Sequence, residues 1–194
     1  MKLAKSEQDR ETLIDPSSKA WEGTPAQALS LSPVPLEAQP NEYIRASWAT
    51  RSYGKTGEVS ATALADNDRL YVRLQWEDDP APNEEFPDAA ALVLGNGDLG
   101  TLGSSEQPLS LWYWAADRDE PLSLTASGPG VFARNGDNGI SGAADLSNGR
   151  WSVVIAGPLA ALSGDQLGVV VWNGSNQERA GLAAVSSWVA LEKE

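Results

Sequence analysis

An antiparallel all-β sandwich with long Gly/Pro-rich loops and little helix is predicted by three features of this 194-residue sequence. Short runs of alternating or β-branched apolar residues recur along the chain. Gly, Asn, Asp and Pro punctuate them, and no stretch sustains a helical period. No repeat of fixed period appears. The length suffices for one well-buried core, so the chain divides into an N-terminal arm at 1–27 and a single sandwich domain at 28–194.

Taken in order, residues 1–14 can open as a short helix that Asp15-Pro16-Ser17-Ser18 breaks, leaving Trp21 as the arm's apolar anchor. Ala28 to Leu36 reads as extended chain, yet Pro33 and Pro35 lack the N–H that a central strand donates, which predicts an edge strand or strap. Glu58–Ala65, the turn Asp66-Asn67-Asp68 and Arg69–Trp76 form the clearest hairpin, with Leu70, Val72, Leu74 and Trp76 on one face. Glu77 to Asp88 is acidic and proline-rich, hence loop. Ala89–Leu94 predicts a short buried strand, and Gly95–Gly103 a flexible glycine loop.

Leu109 to Ala116 returns to strand, with Leu109, Leu111 and Tyr113 on one face and Trp112 and Trp114 on the other, so both faces should be buried. Gly128–Gly149 reads as loop with at most one weak strand, and Pro158–Gly164 as a single helical turn. Trp151–Val154, Leu167–Trp172 and Ala183–Leu191 are the last strands. The stiff Val169-Val170-Val171 run suits a buried one, Asn173-Gly174 ends it, and Val185–Leu191 continues as strand.

Composition removes whole classes of function. With 27 acidic against 14 basic residues, the formal charge of −13 repels nucleic-acid phosphates and anionic headgroups, and suits a solvated surface. The chain has no cysteine and no histidine, which excludes disulfides, cysteine-ligated zinc or iron–sulfur clusters, Ser-His-Asp and Cys-His nucleophiles, and histidine-ligated haem. The polar start Met-Lys-Leu-Ala-Lys-Ser-Glu and the lack of a long apolar run predict no membrane insertion and a cytoplasmic protein, with co-export alongside a signal-bearing partner as the extracytoplasmic alternative.

Other motifs have bland readings that outweigh their sharp ones. Glu77-Asp78-Asp79 and Glu84-Glu85 lack the spaced pattern of a tight calcium loop and read as a solvated acidic loop or docking surface. Gly95-Asn-Gly-Asp-Leu-Gly100 lacks the long following helix that a dinucleotide loop requires. The eight tryptophans read as core; sugar stacking, as in a carbohydrate or small-ligand binding sandwich, requires an exposed aromatic row instead.

Five segments occur in an order that resembles a known family: Asp15-Pro16 with Trp21; Leu74-Gln-Trp-Glu-Asp78 with Phe86-Pro-Asp-Ala89; Leu109-Ser-Leu-Trp-Tyr-Trp114; Trp151-Ser-Val-Val154 with Pro158-Leu159; and Trp172-Asn-Gly-Ser-Asn-Gln-Glu-Arg-Ala-Gly181 with Val185-Ser-Ser-Trp188. The resemblance is to the haem-b-binding γ subunits of ethylbenzene and dimethylsulfide dehydrogenases and of selenate and chlorate reductases, which are molybdenum enzymes of the dimethyl-sulfoxide-reductase superfamily. It implies a β-sandwich that docks beside a catalytic molybdenum subunit and an iron–sulfur subunit. Molybdopterin and iron–sulfur clusters then belong to those partners.

It also implies where haem b would sit, between a methionine before the Trp-rich strand and a lysine after the Glu-Arg-x-Gly turn. Those positions fall on Leu102 and Ala183, which have no lone pair for iron. Ala156-Gly157-Pro158-Leu159 stands where the family has an arginine, and Trp112, Trp114 and Trp172 are candidates for the wall of a vestigial pocket. Substitute ligands are limited to Lys55, the four tyrosines and Met1. The expectation is a non-catalytic, γ-like accessory subunit with a structural or assembly role and no haem. The alternatives are a b-type electron carrier with substituted ligands and a sugar-binding sandwich.

Overall fold

A computed structural model describes residues 1–78, 86–136, 139–162 and 164–193. The chain runs β1 (Lys2–Lys5), α1 (Arg10–Ile14), β2 (Gln27–Pro33), α2 (Glu42–Trp48), β3 (Glu58–Ala65), β4 (Arg69–Glu77), β5 (Ala89–Leu94) and β6 (Leu109–Ala115). It continues through β7 (Leu122–Ala126), β8 (Phe132–Arg134), β9 (Ser141–Ser147), β10 (Arg150–Pro158), β11 (Gln166–Trp172), β12 (Ala184–Ser186), β13 (Val189–Ala190) and β14 (Glu192–Lys193).

The hairpin at the centre of the first sheet forms as its pattern dictates. Asp66 Oδ1 accepts the N–H groups of Asp68 at 2.8 Å and Arg69 at 2.7 Å, an Asx turn that returns the chain with Ala65 opposite Leu70. Strand β10 adds antiparallel to β4, β9 to β10, and β1 runs parallel to β3. The second sheet has the order β8-β7-β6-β5-β11-β12, all antiparallel.

The two sheets share β2. Its residues 27–30 pair with β3, and its residues 31–33 pair with β12. The expected edge character therefore holds residue by residue: each half has one ladder partner, and Pro33, opposite Ala184, needs no second one.

Apolar residues then sort by strand alternation. Val72, Leu74 and Ile155 of the first sheet meet Leu92, Val169 and Val171 of the second in the inter-sheet core, all at 0% exposure. Each such side chain contributes about 1.5–3 kcal/mol on burial. The outer face of the first sheet is covered by Leu13 of α1 and by Trp21, which pack on Leu64, Tyr71, Val154 and Ala156. The outer face of the second sheet is covered by loops, which explains why every residue of β5 is buried.

Several sequence expectations need adjustment. Residues 1–27, expected as an arm, contribute β1, α1 and a Trp21 that is 1% exposed, with its Nε1–H donating to the Asp15 carbonyl at 3.0 Å. Gly128–Gly149 holds two strands; β9 escaped notice because it is an edge strand exposed from Ala144 onward, with no apolar face to alternate. The run expected as one strand over Val185–Leu191 splits into β12 and β13, because the Ser186 hydroxyl, not a backbone carbonyl, accepts the Val169 N–H at 2.9 Å. Helix α2 is capped by Asn41, whose side chain accepts the Tyr43 and Ile44 N–H groups, and it brings Trp48 against Tyr53 and Leu182. No helix among the described residues is long and apolar enough to cross a membrane.

Candidate functional site

The loop-covered face of the second sheet holds both positions that the family resemblance singles out. Leu102 and Ala183 are each 0% exposed and belong to one apolar cluster with Val34, Leu99, Leu109, Leu111, Val170 and Trp172. Two loops deliver them. In the first, Asp98 accepts from Gly100 N–H at 2.9 Å and Thr101 Oγ at 2.8 Å, its carbonyl accepts the Gly103 N–H at 2.7 Å, and the Leu102 carbonyl accepts the Gly128 N–H at 3.1 Å. The glycine-rich stretch is thus a closed turn. Leu102 and Gly103 take φ of +56° and +78°, and a Cβ on Gly103 would lie 2.9 Å from the Ala126 carbonyl oxygen. In the second loop, the Ala183 carbonyl accepts the Val34 N–H at 2.9 Å.

Two buried carboxylates, missed by the sequence reading, tie the motifs together. Asp88, 2% exposed, accepts the Trp151 Nε1–H at 3.0 Å and the Gly174 N–H at 2.8 Å, so three of the five segments meet on one side chain. Gly174 is required there, because an added Cβ would lie 2.1 Å from the Phe86 carbonyl oxygen. Glu178, 1% exposed, accepts from the backbone of Lys55 at 2.9 Å and of Asn173 at 3.0 Å, and from Asn176 Nδ2 at 2.9 Å. The signal available in the sequence was their place inside two motifs rich in turn residues; what they bond to spans the whole chain.

The three candidate wall tryptophans part company. Trp172 lies in the cluster of Leu102 and Ala183, whereas Trp112 and Trp114 point into the inter-sheet core. Alternation along β6 causes this, since 109, 111 and 113 take the outer face and 112 and 114 the inner one. Trp112 packs on Gly157, where a Cβ would come within 2.6 Å of its ring. Trp114 sits 5.0 Å from Trp151 and 6.4 Å from Trp76 between ring centroids. None of the eight tryptophans is exposed, so an outward aromatic row for sugar stacking is not formed.

The donor set tests whether haem fits at this face. Met1 lies in the inter-sheet core, Lys55 and Tyr43 are exposed, the Tyr53 hydroxyl donates to the Val34 carbonyl, and the Tyr71 hydroxyl donates to Asp66 Oδ2 at 2.8 Å. Tyr113 packs against the cluster, 5.4 Å from Trp172 and on the wall of a cavity of about 320 Å³ that also meets Arg118, Phe132 and Arg179. Burial, aided by Asp117, pushes its phenol upward, away from the tyrosinate that would bind iron. Hydrocarbon at Leu102 and Ala183, and a neutral phenol at the edge of their cluster, do not fit axial ligation.

Of the acidic stretch, Glu77 pairs with Arg150 at 2.9 Å and Asp78 is 8% exposed, while Asp79, Glu84 and Glu85 lie outside the described residues. Among the described residues no three Asp or Glu side chains converge to hold a metal ion.

Comparison with known proteins gives three relatives at the same level of identity. The chain is 30% identical to the chlorate reductase γ subunit of Ideonella dechloratans over 88% of its own length and 75% of the relative's. It is 30% identical to the ORF7 protein of Haloferax mediterranei, named as a respiratory nitrate reductase heme subunit, over 89% of itself, and to the dimethylsulfide dehydrogenase γ subunit of Rhodovulum sulfidophilum over 63%. It spans 66% and 56% of the lengths of these last two. No family model matches. Among solved structures, a family 9 carbohydrate-binding module from Caldicellulosiruptor kristjanssonii superposes over 100% of the chain and 96% of its own, with a TM-score of 0.51 at 11% identity, a likeness of fold alone.

Proposed function

From a chain that belongs to the γ-subunit family of the chlorate reductase and dimethylsulfide dehydrogenase subunits, we propose a non-catalytic accessory subunit of a molybdopterin oxidoreductase complex. It docks beside a catalytic molybdenum subunit and an iron–sulfur subunit, and serves assembly and stability, not haem-based electron transfer. The observation that supports this reading is that Leu102 and Ala183 are both fully buried members of one apolar cluster. At the two positions where the resemblance would put ligands, the chain has hydrocarbon.

The γ-type joint persists without an axial pair. Asp88 and Glu178 tie the motifs that carry the resemblance to one another, which supports a retained γ-type fold. Electrons leaving the complex on this side then need another carrier.

The test is the ultraviolet–visible spectrum of the protein purified with its natural partners from its own host, oxidised and then reduced. Iron–sulfur absorption, larger co-purifying subunits and no extractable haem are expected. A Soret band at about one haem per chain would overturn the haem-free reading and direct mutagenesis to Tyr113 as a substitute ligand.

A further inference from the structure

We infer that the cleft at the open edge of the sandwich is a binding site for a small oxoanion, with Arg10, Arg69 and Arg134 as its cationic walls. The site is independent of the subunit role proposed above.

The cleft, about 480 Å³, lies where the start of β7, the end of β8 and the start of β9 come together below α1 and β4. Three arginines from three separate elements line it, against one carboxylate, Glu120, among the described lining residues. In a chain with 14 cationic and 27 acidic side chains, a gathering of positive charge in one concavity is the reverse of the surface average. Two of the three arginines, Arg10 and Arg134, both exposed, carry no ion pair among the described residues.

Arg69 is held in place as a site residue would be. Its Nη2 donates to the Gly139 carbonyl at 2.8 Å and to Ser141 Oγ at 3.0 Å, which fixes the plane of the guanidinium, while its Nε is buried with no partner. Asp66 lies within electrostatic range of Arg69 but spends its oxygens on Asp68, Arg69 N–H and Tyr71. Planar guanidinium forks match carboxylate, phosphate or sulfate oxygens, and the cleft is of the size that small ligands occupy.

The test is thermal stability and titration calorimetry of the full chain with sodium phosphate, sulfate or succinate, at ionic strength held constant with chloride. A saturable rise in melting temperature with at least one of the three is expected. The phosphate and sulfate arms against the succinate arm separate an inorganic oxoanion from a carboxylate ligand. Arg10→Gln and Arg134→Gln, both at exposed positions, should each weaken that binding by about tenfold or more, and Glu120→Gln should tighten it. A shift that never saturates, no shift with any of the three, or a shift in both arginine variants equal to that of the unsubstituted chain would overturn the inference.

Discussion

Asp88→Ala removes the acceptor on which three separate segments converge, and its cost can be worked from the geometry. The carboxylate is 2% exposed and takes two N–H donors at 3.0 and 2.8 Å, one from the Trp151 indole and one from the Gly174 backbone. Alanine supplies no acceptor, and of the two donors the Gly174 N–H is buried and the Trp151 indole half-buried. Each stranded donor costs about 1–3 kcal/mol, so the variant should lose about 2–6 kcal/mol. For a chain of this size that lowers the melting temperature by roughly 10 °C. Equilibrium urea unfolding followed by tryptophan fluorescence measures it, with Trp151 itself a reporter. Asp88→Asn, which keeps one oxygen, should fall between the two. If Asp88→Ala loses less than about 1 kcal/mol with an unchanged urea slope, the carboxylate does not lock the motifs and the reasoning fails.

Two further outcomes follow from the same coordinates. Ala183→Lys forces an ammonium into the apolar cluster that also holds Leu102, and should unfold the chain or lower its melting temperature by more than Asp88→Ala does; circular dichroism showing wild-type stability would mean that this face is open to water. Tyr71, buried and then hydrogen-bonded to the Asp66 carboxylate, has its phenol pushed up to about 12 from 10.0. The raised value means that its contribution is full below the unfolded value near 10 and is lost as pH climbs through about 12, so Tyr71→Phe should flatten the loss of stability over that interval. Absorbance titration of tyrosinate reads the ionisation directly.

How much of this was legible beforehand depended on whether one face of an element was wet. The β3–β4 hairpin, the all-buried β5 and the two-faced β6 could be read because Leu70, Val72 and Leu74, or Trp112 and Trp114, repeat at the strand period. Strand β9 could not, since most of its residues face solvent at an edge, and α2 could not, being two turns long and held by its Asn41 cap and Trp48 more than by periodicity. The convergence of Leu102 with Ala183 was implied only by resemblance; nothing local in either loop says that both end over the same sheet. The roles of Asp88 and Glu178 were hidden for the same reason, as the Trp151 and Gly174 partners of Asp88 and the Lys55 partner of Glu178 lie far away in sequence. Trp112 and Trp114 were assigned a shared wall with Trp172, although the parity of β6 already separated them from Tyr113's face.

The division of β2 between two ladders sets an order on biosynthesis. Its first half finds β3 soon after emerging, and the β3–β4 hairpin can complete a partial first sheet. Its second half must wait for β12, almost the whole chain later. Until then Ser32 and Pro33 lack their ladder partner, and the inner face of the first sheet stands open to other chains. The interval between synthesis of residue 33 and residue 184 is therefore the period in which a nascent copy needs shielding from its neighbours.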